Sequence, residues 1–94
     1  MKHITRTRLS VEIARRFGLA TFHCPQTGSF TVNLTDDGRD CLVFGDCNGP
    51  FSYDSVRDEN PVDRQIRDEL TNPTEDQIVA YVLQVTAHEF ASHV

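Results

Sequence analysis

The stretch Phe30-Thr31-Val32-Asn33-Leu34-Thr35-Asp36-Asp37-Gly38-Arg39-Asp40-Cys41-Leu42-Val43-Phe44 decides the fold. Phe30, Val32 and Leu34 alternate with Thr31 and Asn33, the period-two pattern of a strand with one buried face. Asp36-Asp37-Gly38 then supplies a tight turn, because aspartate and glycine tolerate positive φ. Cys41 to Phe44 follows as a more continuously apolar strand. Upstream, Phe22 and Cys24 also alternate with polar neighbours, and Pro25-Gln26-Thr27-Gly28 carries turn chemistry. Three antiparallel strands in a meander are therefore expected. Downstream, Gly45, Gly49 and Pro50 break the ladder, and Phe51-Ser52-Tyr53-Asp54 reads as a short edge strand.

Helical patterns flank this centre. Leu9, Ile13 and Phe17 fall four apart, with Ser10 as a cap and Gly18 as a stop, which predicts a first helix over Ser10 to Phe17. Asn60-Pro61-Val62-Asp63 reads as a second helix start, followed by a stripe of Val62, Ile66 and Leu70. Asn72-Pro73-Thr74-Glu75 repeats the signal before Ile78, Tyr81, Val82 and Val85, with Val79, Leu83 and Phe90 widening the apolar side. The β-branched residues in this last segment also suit a buried strand; its cap and length decide for helix. The expected fold is α+β: a small three- to four-stranded antiparallel sheet, one N-terminal helix and two C-terminal helices, in the order αβββ(β)αα. The helices should cover one sheet face.

The 94 residues suffice for one core, so residues 1–94 are read as a single domain. No apolar run approaches the roughly 20 residues that span a bilayer, and the basic start lacks a secretory apolar region, which reads as cytoplasmic. Three cysteines, Cys24, Cys41 and Cys47, cannot all pair within the chain and fit free thiols.

Leu9-Ser10-Val11-Glu12-Ile13-Ala14-Arg15-Arg16-Phe17-Gly18-Leu19 resembles the first helix and turn of helix-turn-helix DNA-binding domains. The resemblance stops there, because Ala20 to Phe30 holds Pro25, Gly28 and a strand pattern where the recognition helix belongs. His88-Glu89-Phe90-Ala91-Ser92-His93 looks like the zincin signature, but its histidines are five apart rather than four. A five-residue step turns the second imidazole about 140° around a helix, so the two cannot share a metal. A zinc set of His23, Cys24, Cys41 and Cys47 lacks the paired spacing such sites use, and adjacent His23 and Cys24 point to opposite sheet faces. No metal or cofactor is expected. Neither a nucleophile elbow nor a phosphate loop occurs, and an enzyme is not expected.

Charge is unevenly distributed. Residues 1–16 carry Lys2, Arg6, Arg8, Arg15 and Arg16 against Glu12, whereas residues 17–94 carry four arginines against thirteen acids. Such asymmetry suits a protein that selects partners of opposite charge. In composition and element order the chain resembles phage-encoded inhibitors of host nucleases, including anti-CRISPR proteins, although no motif carries that likeness. It implies a non-enzymatic binding protein docking on a larger basic, nucleic-acid-handling protein. Asp36, Asp37, Asp40, Asp58, Glu59, Asp63, Asp68 and Glu69 are the candidate contacts. The alternative is a nucleic-acid-binding regulator that uses the basic start, against which the negative body works by repelling phosphates. An open sheet edge or the wide last helix also offers a surface for a homodimer.

Overall fold

The computed structural model describes residues 3–26, 28–45, 51–56 and 63–93, with the side chains of 63–69 and 93 outside the description. The element order is α1 (His3–Phe17), β1 (Thr21–His23), β2 (Phe30–Asn33), β3 (Cys41–Gly45), β4 (Phe51–Val56), β5 (Asp63–Leu70) and α2 (Glu75–His93). The five strands form one antiparallel sheet in sequence order. The α+β class and the meander are as expected. The count of helices is not.

The segment expected as a second helix is β5. Its Asp63, Arg64 and Gln65 lie opposite Ser55, Asp54 and Tyr53, and Leu70 lies opposite Phe51, with a bulge between. The physical reason lies in the spacing. Ile66 and Leu70 are four apart, which brings residues to one side of a helix but is also two strand periods. The unpaired edge of β4 then decides, since pairing satisfies a row of backbone donors and acceptors that an isolated short helix would leave open. As a result β4 is an interior strand, not the edge strand its sequence suggested, and it extends to Val56.

The first helix also differs: it begins at His3, and Ser10 sits within it. Thr5 continues the Leu9 and Ile13 stripe one turn earlier, all three are buried, and no proline or glycine interrupts. Gly18 ends the helix at φ 68°, a left-handed conformation that costs a side-chain-bearing residue about 1 kcal/mol. In α2 the cap is Thr74 rather than Asn72. The Gln77 N–H donates to Thr74 Oγ1 at 3.2 Å and the Thr74 N–H donates to Gln77 Oε1 at 2.8 Å, a reciprocal capping box. Both expected turns form, with Gly28 donating to the Cys24 carbonyl and Gly38 to that of Thr35.

The helices cover one sheet face and run side by side in the same direction: Arg8 meets Asp76 near the start of α2, and Phe17 packs edge-on against Phe90 near its end. The core joins Leu9 and Ile13 of α1 to Phe30, Val32, Leu42, Phe44, Phe51 and Tyr53 of the sheet and to Val79, Tyr81 and Val82 of α2. The opposite face carries the row Phe22, Thr31, Val43 and Asp54. Phe22 is 54% exposed, so this face is not closed by a helix there.

Candidate functional site

The meander dictates where the acidic residues meet. β2 ends at Asn33, β3 starts beside it at Cys41, and Cys41 pairs with Val56 at the end of β4; Asp63 starts β5 opposite Ser55. The turn bearing Asp36, Asp37 and Asp40 therefore shares one end of the sheet with Asp63. With neighbouring strands about 4.8 Å apart, the β3, β4 and β5 columns at this end lie within about 10 Å. Asp68 and Glu69 sit near Leu70, which pairs with Phe51 at the far end, about 20 Å along β5 from Asp63. Arg64 and Asp68, like Asp63 and Arg67, are four residues apart, which is about 13 Å along a strand rather than one turn of a helix. Asp58 and Glu59 lie outside the described residues. The six described candidates thus divide between two ends of the sheet rather than forming one surface.

At the turn itself the three aspartates differ in what they do. Asp37 accepts the Thr35 hydroxyl at 2.7 Å and the Arg39 N–H at 3.1 Å, and its other oxygen lies 3.4 Å from Arg39 Nε. The Thr35 hydroxyl hydrogen bond, followed by that of the Arg39 backbone, holds the Asp37 carboxyl below its ordinary range. Thr35 Oγ1 in turn accepts from the Asp40 N–H. Asp37 is therefore a builder of the turn, Asp36 is exposed, and Asp40 is half-buried beside the strand. Together with Thr35 and Arg39 they line an open hollow of about 350 Å³.

The basic residues of α1 are engaged. Glu12 binds Arg15 at 2.7 Å and Arg16 at 3.0 Å, and those contacts, the Arg15 hydrogen bond foremost, lower its pKa. Arg8 reaches Glu75 and Asp76 at the start of α2. Exposed pairs of this kind contribute at most about 1 kcal/mol each, yet they offset much of the positive field that the sequence concentrates in its first sixteen residues.

Comparison with protein families, curated proteins and solved structures finds no match.

Among the described residues, no three of His, Cys, Asp and Glu gather to hold a metal, and no helix is long and apolar enough to cross a membrane. In the zincin-like segment, Glu89 is buried and accepts the Tyr53 hydroxyl at 3.1 Å, which ties α2 to β4. Cys24 and Cys41 are half-buried free thiols, and burial, followed by the nearby Asp40 charge, raises the Cys41 pKa, the opposite of an activated nucleophile. Cys47 lies outside the described residues.

Two contacts were not foreseen from sequence. Arg6 Nη1 lies 3.0 Å from His23 Nε2, and the Thr21 hydroxyl donates to Ser10 Oγ at 2.9 Å. Arg6 and Ser10 are one helical turn apart, about 6 Å of rise, and Thr21 and His23 are two strand residues apart, about 6.6 Å. The matching of these two repeats is the signal that the sequence held.

Proposed function

We propose that this chain is a small acidic, non-enzymatic binding protein that docks on a larger basic, nucleic-acid-handling protein. The carboxylates at one end of its sheet stand in for phosphates, as in an inhibitor that mimics nucleic acid. The observation that carries this reading is the topology: the meander gathers the Asp36–Asp40 turn and the Asp63 start of β5 at one end of the sheet. A net negative field at one end of the sheet steers a basic partner and selects against acidic ones. The engagement of Arg8, Arg15 and Arg16 by acids on the helix layer leaves less positive charge to offset that end, and it weakens the alternative of phosphate binding along α1 as a whole.

Tagged protein, incubated with nuclease-treated and untreated lysate and eluted by a salt gradient, tests the reading. Wild type is expected to retain a basic nucleic-acid-handling protein after nuclease treatment. The D36K/D40K/D63K variant should weaken that interaction at least about tenfold. D68K/E69K, at the opposite end, should change it little. Equal retention by the wild type and the triple variant removes the proposal, as does capture of nucleic acid alone.

A further inference from the structure

At the end of β1 away from the acidic turn, two cation-forming side chains from two elements meet, Arg6 of α1 and His23 of β1. His3 and Arg6 are one turn apart at the start of α1, and no acidic residue occupies that first turn. His23 closes β1, half-buried, with Arg6 Nη1 3.0 Å from its Nε2. A guanidinium has only donors, so the ring nitrogen facing it must carry the lone pair and the ring proton must sit on Nδ1. Arg6 thus holds His23 neutral. Opposite His23 in the sheet stands Phe30, which contributes no charge. Desolvation, and then the charge of Arg6, keep the His23 pKa below its ordinary value.

We propose that Arg6 and His23 form a binding site for a phosphate-type oxyanion. An oxyanion between Arg6 and His23 replaces the guanidinium-to-imidazole contact with two charge-assisted hydrogen bonds, one from Arg6 and one from a protonated Nε2. His23 takes up a proton from solvent as the anion enters, and no covalent bond is made or broken at the ligand. Because the bound form has the higher His23 pKa, binding tightens as pH falls. The site stands apart from the acidic end and does not depend on the docking proposal.

Inorganic phosphate is the first probe and a nucleoside monophosphate the second, each titrated into isotopically labelled protein at constant ionic strength with chloride as the control. Saturable shifts at Arg6 and His23, a raised His23 pKa measured from its ring resonances, and affinity rising by up to about tenfold per pH unit on acidification are expected. R6Q should weaken binding about tenfold or more. H23Q should remove the pH dependence while the fold, followed by circular dichroism, persists. Saturation by the nucleotide alone assigns the site to a phosphate ester, and saturation by both assigns it to the bare oxyanion. A response no greater than that to chloride, or one unchanged in R6Q, overturns the proposal.

Discussion

Two hydroxyls, Ser55 Oγ on β4 and Thr86 Oγ1 on α2, are buried without a hydrogen-bond partner among the described residues. A buried polar atom left unsatisfied costs about 1 to 3 kcal/mol, whereas an apolar group of the same shape carries no such penalty. Thr86→Val should therefore raise stability by about 1 kcal/mol in urea unfolding. An unchanged or lower midpoint would show that this hydroxyl is satisfied in solution. His23 makes a second prediction at this scale. Its folded pKa is depressed below the ordinary 6.5, so the unfolded chain takes up a proton more readily. The stability it contributes is complete above that value and is lost as pH falls through 6.5 toward the folded pKa. In low-phosphate buffer the melting temperature should decline over that window, and the decline should be shallower in H23Q.

At the scale of elements, the sheet and α2 meet through stacked and edge-on rings. Phe44 lies 5.9 Å from Tyr53, 6.2 Å from Tyr81 and 6.5 Å from Phe51, centroid to centroid. It is one of two rings, with Tyr81, through which β3, β4 and α2 share contacts among the described residues, and it is fully buried. Phe44→Ala should cost about 3 to 5 kcal/mol, much of the stability of a domain this size, and equilibrium unfolding measures it. A loss under 1 kcal/mol would mean that the neighbouring rings close the cavity. Tyr53 adds a polar tie to the same interface through Glu89, so the helix is held by both ring packing and a buried hydrogen bond.

Across the whole molecule, charge and topology make two opposed ends. The acidic turn and Asp63 occupy one; Arg6 and His23 occupy the other on the β1 side, with Asp68 and Glu69 across the sheet from them on β5. Along β2 alone, Phe30 beside His23 is about 10 Å from Asn33 at the acidic end, already beyond the roughly 8 Å Debye length at physiological salt. The two ends should then act independently. The D36K/D40K/D63K variant is expected to keep the wild-type phosphate response, and R6Q to keep the wild-type capture of a basic partner, each measured as above. Loss of both properties in either variant would indicate one continuous surface or a damaged fold.

Read alone, the sequence determined the α+β class, the three central strands with their two turns, and the long last helix. Those elements depend on local signals: period-two alternation through Phe30, Val32 and Leu34, glycines placed for positive φ, and the helix-start stretch Asn72 to Glu75. It also determined the imbalance of charge. Tertiary structure alone decided that residues 63–70 pair as a strand, since Ile66 and Leu70 fit both periods and only the open edge of β4 distinguishes them. It alone divided the candidate acids between two sheet ends, because strand direction, not chain distance, sets which residues become neighbours. The Arg6–His23 contact likewise needed the fold, where a helical repeat of four meets a strand repeat of two at nearly equal length.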